Sequence, residues 1–439
     1  MTSLPAPRAP AAVAVALFVA ICAVYLVLVL KFPLGYIYAT YENLYGEWLQ
    51  VAQFAIAMVV SFALVRRAGH PHRAFFGVLG LACFYVVGEE ISWGQQVFDW
   101  DSPDWFKEKN LQGETNLHNM VTGPYSTALK DVIEYTLAGG LIGYGLIAPV
   151  LLRVGWGLAH RVERLGLAIP PLYLWPFWTL GAAFEVGYFS FNEAEVAEVL
   201  ISFALAALAL HHLVVARRGG EPHAPATWGA GTGGALARGL AVAFAVALVG
   251  AVGATQAMLS NPESARRADK RIGAGIEKFA ERYANRKNYA VANELFGMAL
   301  EREPENRAHL RRYARTLRLL DRDDEALEVL NRTLELDKAK LRGKPKSASA
   351  HRSLVRTYRL LDEDDTAQRH LDAALRISRQ RVKEHPRSPN AHYSLGRALE
   401  LSGEKKEAKA SFKIAQKLAP GTKKFRRAVH RVGKGVDSG

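Results

Sequence analysis

Long apolar runs in the first 260 residues constrain the fold of this chain most strongly. An α-helix needs about 20 apolar residues to cross the hydrocarbon core of a bilayer. Seven candidate runs occur, and the third and fifth are short: 11–30, 48–65, 75–90, 132–152, 172–189, 196–215 and 240–259. The sequence therefore predicts an all-α fold that begins with a polytopic bundle of about seven spanning helices in residues 1–260.

The remainder of the chain has a different composition. From Asn261 onward it carries 42 Lys and Arg against 25 Asp and Glu, a net charge of +17. The whole chain carries 56 against 42, so the first 260 residues are left with 14 against 17, a net charge of −3. No apolar run of spanning length occurs in this basic part. We therefore expect a separate polar domain over residues 261–439.

Small and large apolar residues recur in the polar part at regular intervals. Its first two segments are 34 residues apart and the later ones 41. The 34-residue period and the Leu395-Gly396 pair resemble the tetratricopeptide repeat, and residues 273–418 resemble about four units of it. The resemblance implies an α-solenoid of stacked helix pairs with a concave peptide-binding face. The pattern is carried by Ala292, Phe296, Ala299 and Pro304, by Ala326 and Leu330, by Ala367, Leu371 and Ala374, and by Ala408, Phe412, Ala415 and Pro420.

Lys and Arg in the short loops predict the orientation of the bundle, because cytoplasmic loops are enriched in them. Ten basic residues fall on the side of the N-terminus and four on the other. We therefore expect a multi-pass protein of the inner (cytoplasmic) membrane of a bacterial cell, with a cytoplasmic N-terminus and an extracytoplasmic repeat domain. Residues 219–237, rich in Gly, Pro and Ala, predict a flexible cytoplasmic linker between the last two spanning helices.

Carboxylates at the ends of apolar segments point to a site at the outer face of the bundle. Glu89 and Glu90 close the third apolar run, where charged groups are costly enough to indicate function. Glu89 and Ser92 are one turn apart and would share a helical face. The other candidates are Trp93, Gln95, Asn116 and His118, and, from the fifth and sixth helices, Glu185, Glu195 and Glu198.

Two chemical roles are open for these residues. Glu89, Glu90, Asn116 and His118 are candidate catalytic residues, with the remainder binding substrate, and His118 is the candidate proton partner. Glu89, Glu90 and His118 are also candidate metal ligands. A carboxylate-rich site with one histidine suits Mg²⁺, Mn²⁺ or Ca²⁺ better than zinc. A carboxylate at a helix end can equally be solvated or paired, so whether the chain is an enzyme stays open.

The segments GEEISWGQ and NLHN around these residues resemble the signature of an uncharacterised family of bacterial polytopic membrane proteins. The resemblance covers about residues 86–119. It implies a multi-spanning fold and brings no activity with it.

The basic charge of the repeat part attracts anionic partners. Arg311, Arg312, Arg315 and Arg318 recur at one-turn spacing and predict a basic, partner-binding stripe. Nucleic acid is not expected, because the domain lies outside the cytoplasm and lacks an aromatic base-stacking pattern. Two functions follow. The repeats bind an envelope protein or anionic polymer beside the carboxylate site, or the bundle is an enzyme acting on a membrane lipid or lipid-linked envelope substrate.

Overall fold

The computed structural model of the protein describes residues 8–41, 43–67, 69–95, 100–105, 115, 127–224, 228, 231–420 and 422–434. Over these residues the structure is helical and has no β-strand, which confirms the predicted all-α fold. The chain divides into two compact units, Met1–Gly275 and Ile276–Gly439. Helix α11 (Pro262–Asn285) contains the division between them.

The first unit contains the apolar helices. A π-helical turn, Gly143–Ile147, joins the helix Thr127–Ile142 to the helix Ala148–Arg153. The described α-helices of the first unit are α1 (Arg8–Lys31), α2 (Pro33–Thr40), α3 (Tyr45–Arg66), α4 (Arg73–Glu90), α5 (Thr127–Ile142), α6 (Ala148–Arg153), α7 (Gly157–Arg164), α8 (Trp175–Glu185), α9 (Glu193–Arg217) and α10 (Thr232–Ser260).

Helix α9 forms the centre of the first unit. Of its 25 residues 15 are buried, and it packs against α3 and α8. It is apolar on all sides, the pattern of a helix surrounded by others. The Phe203 ring of α9 lies 4.7 Å from that of Phe177 on α8. At Gly145, a Cβ atom would lie 2.1 Å from the Trp178 side chain, so glycine lets α8 pack against the π-helical turn.

Helices α1 and α10 expose large apolar side chains instead of burying them. Val19 is 56% exposed and Val249 is 72% exposed. Soluble proteins rarely expose apolar patches of this extent. By length and composition, five described segments are apolar enough to cross a membrane: Arg8–Lys31, Pro33–Arg66, Val132–Arg153, Glu193–Arg217 and Thr232–Ser260.

Two of the seven predicted spans are not among these five. Helix α4 carries Arg73, Glu89 and Glu90 within 18 residues. Helix α8 has 11 residues, which at about 1.5 Å per residue make it too short to cross the apolar core. Both lie in the positions predicted, and both are the segments that the sequence already marked as short.

The second unit is built from polar helices with buried apolar faces. The described helices after α11 are α12 (Tyr289–Arg302), α13 (Arg307–Arg318), α14 (Asp323–Gly343), α15 (Ala348–Leu360), α16 (Asp364–Glu384), α17 (Pro389–Ser402), α18 (Lys405–Leu418) and α19 (Lys423–Lys434).

The repeating apolar residues form the core of this unit. All of the alanine, leucine and phenylalanine positions of the pattern lie on α12, α14, α16 and α18 and are at most 4% exposed. This confirms the predicted α-solenoid. A residue with left-handed backbone follows the first helix of each pair at the same spacings of 34, 41 and 41 residues: Lys287, Asp321, Asp362 and Gly403.

Polar caps repeat with the same period. Asn306, Ser347 and Ser388 are 41 residues apart and precede α13, α15 and α17. Each side chain accepts a hydrogen bond from a backbone N–H of the first turn, at 3.0–3.3 Å. Such caps satisfy donors that the helix itself leaves unpaired. The start of α13, α15 and α17 is therefore set by a capping residue in the sequence.

Candidate functional site

Three of the predicted carboxylates meet inside the first unit. Glu198 on α9 interacts electrostatically with Glu90 on α4 and with Glu185 on α8. The Gln50 side chain on α3 is a further polar neighbour of Glu198. The structure thus brings a carboxylate of α4 near two carboxylates of the consecutive helices α8 and α9.

Two glutamines of α3 belong to this polar region, and the sequence analysis missed them. Gln50 and Gln53 are each 1% exposed. The Gln53 Oε1 atom accepts a hydrogen bond of 2.6 Å from the Ser202 hydroxyl of α9. Two amides one turn apart within an apolar run are the signal that was available, because polar side chains are as costly there as acids.

Glu89 has a local role beside this region. Its Oε1 atom accepts a hydrogen bond of 2.8 Å from the Trp93 indole. Helix α4 ends at Glu90, and Ser92 and Trp93 have left-handed backbone with φ of 48° and 52°. The predicted helical face shared by Glu89 and Ser92 is therefore wrong, because the chain turns between them.

Gln95 fixes the segment after this turn. Its Oε1 atom accepts hydrogen bonds from the Ser102 hydroxyl at 3.0 Å and from the Thr115 N–H at 2.8 Å. The predicted residues Asn116 and His118 lie outside the described residues.

Glu195 lies in the first turn of α9. It interacts electrostatically with Tyr25 of α1. Glu193, in the same turn, accepts hydrogen bonds from the N–H groups of Ser190 at 2.7 Å and Phe191 at 2.6 Å. Its role is to hold the turn before α9.

The predicted metal site stays a prediction. Glu89 binds the Trp93 indole, and His118 is outside the described residues. Over the part of the chain that the structure describes, no three His, Cys, Asp or Glu side chains are already arranged to hold a metal ion.

In the second unit, the structure separates the four arginines of the predicted stripe. Arg315 is exposed and has no ion pair to a described residue. The other three connect helices within the unit. Their ion pairs are Arg311–Asp337 at 3.1 Å, Arg312–Glu277 at 2.5 Å and Arg318–Asp362 at 3.1 Å.

Asp337 is the buried centre of one of these connections. It is fully buried on α14, and its Oδ2 atom accepts hydrogen bonds from Arg311 at 3.1 Å and from the Thr357 hydroxyl at 2.6 Å. Arg307 lies 3.5 Å from the Oδ1 atom. Arg311 is therefore committed to joining α13, α14 and α15.

A larger set of arginines runs along the first helices of successive pairs, which contact one another. Arg311 of α13 donates to the Ser353 hydroxyl of α15 at 3.3 Å. The same contact recurs 41 residues later, where Arg352 donates to the Ser394 hydroxyl of α17 at 3.0 Å. We call the following set the arginine ladder: Arg311 on α13, Arg352 and Arg356 on α15, and Arg397 on α17.

Arg356 differs from the rest of the ladder. It has no ion pair or hydrogen bond to a described residue, although it is partly buried. Burial lowers the pKa of its guanidinium, and the positive charge of Arg397 lowers that pKa further. Burial also lowers the pKa of Arg352 to about 10, with the charges of Arg356 and Arg397 adding to the effect. The carboxylates of Glu400 and Asp337 attract Arg356 without forming an ion pair with it, and Glu400 is paired with Arg397 at 3.7 Å.

A cleft of about 740 Å³ opens at one end of the ladder. Its lining includes Arg307, Arg311, Ser353 and Asn306. Glu303 and Glu305 line the same cleft, so it has charges of both signs. Such a mixture suits a polar peptide better than an apolar ligand.

Comparison with known proteins identifies the repeats. Residues 278–340 and 363–422 match the family model of the tetratricopeptide repeat. The second unit therefore contains tetratricopeptide repeats, a class of helical repeat whose general role is to bind proteins. The matched residues include the second helices of all four pairs, where the buried alanines recur.

Two solved structures are similar to part of this chain. A thermophilic tetratricopeptide protein of Thermus thermophilus is 23% identical, with a TM-score of 0.22, and the match covers 37% of this chain and 82% of that one. The MamA protein is 18% identical, with a TM-score of 0.18, covering 38% and 82%. No curated protein matches the chain. The resemblance of GEEISWGQ and NLHN to a membrane family stays a prediction.

Proposed function

We propose that the chain is an integral membrane protein that binds an acidic protein partner through its tetratricopeptide repeats. The observation that carries this proposal is Arg356, a partly buried cation near Arg352 and Arg397 that makes no ion pair or hydrogen bond with a described residue. A carboxylate of a bound peptide would neutralise it, and a charge-assisted hydrogen bond to arginine is among the stronger polar contacts.

The apolar helices support the membrane part of the proposal. Five segments are long and apolar enough to span. The exposed valines of α1 and α10 would contact lipid, where apolar surface carries no penalty. The excess of basic residues in the loops on the side of the N-terminus favours a cytoplasmic N-terminus and an extracytoplasmic repeat domain. An envelope protein with an acidic segment is then the expected partner.

Binding of a labelled Glu-rich peptide to the full chain in lipid nanodiscs tests the proposal. We expect Arg356→Glu to weaken binding at least tenfold, about 1.4 kcal/mol. Arg379→Glu is the matched control, because Arg379 is an exposed arginine on the second helix of the same pair. Equal affinity of wild type and Arg356→Glu, or a preference for a Lys-rich peptide, would refute the proposal.

The carboxylates of the first unit favour a second candidate, a membrane-embedded acid–base or metal-dependent enzyme acting on a lipid or lipid-linked substrate. Titratable groups that perturb each other in a buried region are candidates for catalysis. The two candidates separate in a host strain that depends on the protein. Loss of function with Glu198→Gln but not with Arg356→Glu would favour the enzyme, and the opposite pattern the binding protein.

A further inference from the structure

Five histidines gather at one end of the first unit, away from the carboxylates. His70 and His72 precede α4, His211 and His212 lie near the end of α9, and His223 follows α9. The sequence analysis made no use of them, because they come from three separate segments of the chain. The ring centroid of His212 lies 5.3 Å from that of His72, 5.9 Å from that of His70 and 6.1 Å from that of His223.

The neighbouring histidines of α9 have opposite environments. Both are fully buried. His211 has a partner at each ring nitrogen, the Tyr173 hydroxyl at 2.9 Å and the Pro222 carbonyl at 3.0 Å. Neither ring nitrogen of His212 has a hydrogen-bond partner. A buried polar group without a partner costs about 1–3 kcal/mol, so His212 calls for an explanation that His211 does not.

Two other ring nitrogens near His212 are also buried without a hydrogen-bond partner. The Nδ1 atom of His72 and the Nε2 atom of His223 are buried and make no hydrogen bond. The His223 Nε2 atom lies 3.5 Å from the Oε1 atom of Glu163 on α7. The unsatisfied ring nitrogens of three imidazoles therefore lie in one small region, beside the Glu163 carboxylate, which is also 3.9 Å from His160.

Two of these spacings are close to those of ligands around one metal ion, and the 6.1 Å between the His212 and His223 ring centroids is longer. With Zn–N bonds of about 2.0–2.1 Å, two ligand atoms on a tetrahedral ion lie about 3.3 Å apart and two ring centroids about 5 Å apart. The observed distances of 3.5 Å and 5.3 Å are close to these values. Three histidines with one carboxylate suit a divalent transition-metal ion rather than magnesium or calcium.

We propose that His72, His212, His223 and Glu163 form a binding site for a divalent transition-metal ion such as Zn²⁺. The ion joins the loop before α4, helix α7, the end of α9 and the loop after α9. In the present rotamers these groups are not yet arranged to hold a metal, so binding turns the rings of His72 and His223 about their side-chain bonds. The site is independent of peptide binding by the repeats.

Zinc itself is the probe for this site. The full chain is purified in detergent, stripped with chelator, incubated with Zn²⁺, separated from free metal and analysed for zinc content. We expect the His212→Leu variant and the double variant His223→Gln/Glu163→Gln each to retain one zinc ion per chain fewer than wild type. The control His351→Ala, in the repeats, should retain as much zinc as wild type.

Thermal unfolding distinguishes a metal ligand from a histidine with a packing role only. Zinc should raise the unfolding temperature of wild type and leave that of His212→Leu unchanged. The double variant replaces only partly exposed side chains, so it keeps the test valid if His212→Leu fails to fold. Equal zinc content in wild type and the double variant would overturn the proposal, as would an equal thermal shift in wild type and a folded His212→Leu variant.

Discussion

At the scale of single residues, Asp337 decides how the repeats are joined. It is a fully buried carboxylate whose partners come from α13 and α15. A buried charge is tolerated only when it is paired, and removal of one partner leaves the other unpaired in a low-dielectric environment. The stability of the stack therefore depends on a residue that the apolar repeat pattern does not contain.

We expect Asp337→Asn to destabilise the repeats by about 3 kcal/mol, because Arg311 loses its counter-ion while staying buried. Hydrogen exchange of α13 to α15 in the full chain measures the effect. The control is Glu335→Gln, since Glu335 is exposed and pairs only with Lys338. Equal protection of these helices in the two variants would contradict the role given to Asp337.

A histidine pair makes the repeats sensitive to acid. The Nδ1 atoms of His351 and His370 lie 2.9 Å apart. Burial lowers the pKa of each, and His351 lowers that of His370 further. Because the folded pKa values lie below the unfolded value of 6.5, the unfolded chain binds more protons as the pH falls through this range, and stability decreases. Above the unfolded pKa the stability contribution is complete.

We expect acidification from pH 7.5 to 5.5 to lower the unfolding temperature of the repeats, and to do so less in His370→Gln. Thermal unfolding of the full chain is monitored at both pH values through the hydrogen exchange of α15 and α16. His385→Gln is the control, since His385 lies in the same repeat but outside the pair. An identical pH dependence in wild type and His370→Gln would show that the pair does not matter.

At the scale of elements, close packing requires one of two helical glycines in the repeats and not the other. A Cβ atom at Gly396 of α17 would lie 2.6 Å from the Phe412 ring of α18. A Cβ atom at Gly297 of α12 would lie 3.7 Å from the Tyr313 ring, which is an ordinary contact. Packing therefore excludes a larger side chain at Gly396, whereas there is room for a methyl group at Gly297.

We expect Gly396→Ala to destabilise the repeats by about 1–3 kcal/mol, the usual cost of overpacking. Gly297→Ala should stabilise them by about 0.5–1 kcal/mol, because alanine favours helix more than glycine does. Urea unfolding of the full chain compares the two. Changes of the same sign would contradict the packing described for Phe412.

The sequence predicts these elements better than the contacts between them. The buried alanines, the caps and the apolar runs follow from periods of 34 and 41 residues and from run length, which are local properties. Ion pairs such as Arg311–Asp337 and the cluster around His212 depend on which helices are neighbours. Glu185 and Glu198 were found by their unusual setting in apolar runs, and Gln50 and Gln53 were missed although the same local signal was available for them.

At the scale of the whole molecule, the chain combines two kinds of surface. The first unit exposes valines on α1 and α10 that suit lipid. The second unit carries an arginine ladder that suits an acidic partner, and Arg356 lacks a partner within the described chain. A protein of this composition is expected to hold a binding domain at a membrane.

The most direct test of this account is the position of a bound acidic peptide. A Glu-rich peptide with a photoreactive group is cross-linked to the full chain in nanodiscs, and the attachment sites are found by mass spectrometry. We predict that they fall on α13, α15 and α17 around Arg356, and that Arg356→Glu abolishes them. Attachment confined to α14, α16 and α18, or unchanged in Arg356→Glu, would contradict the account.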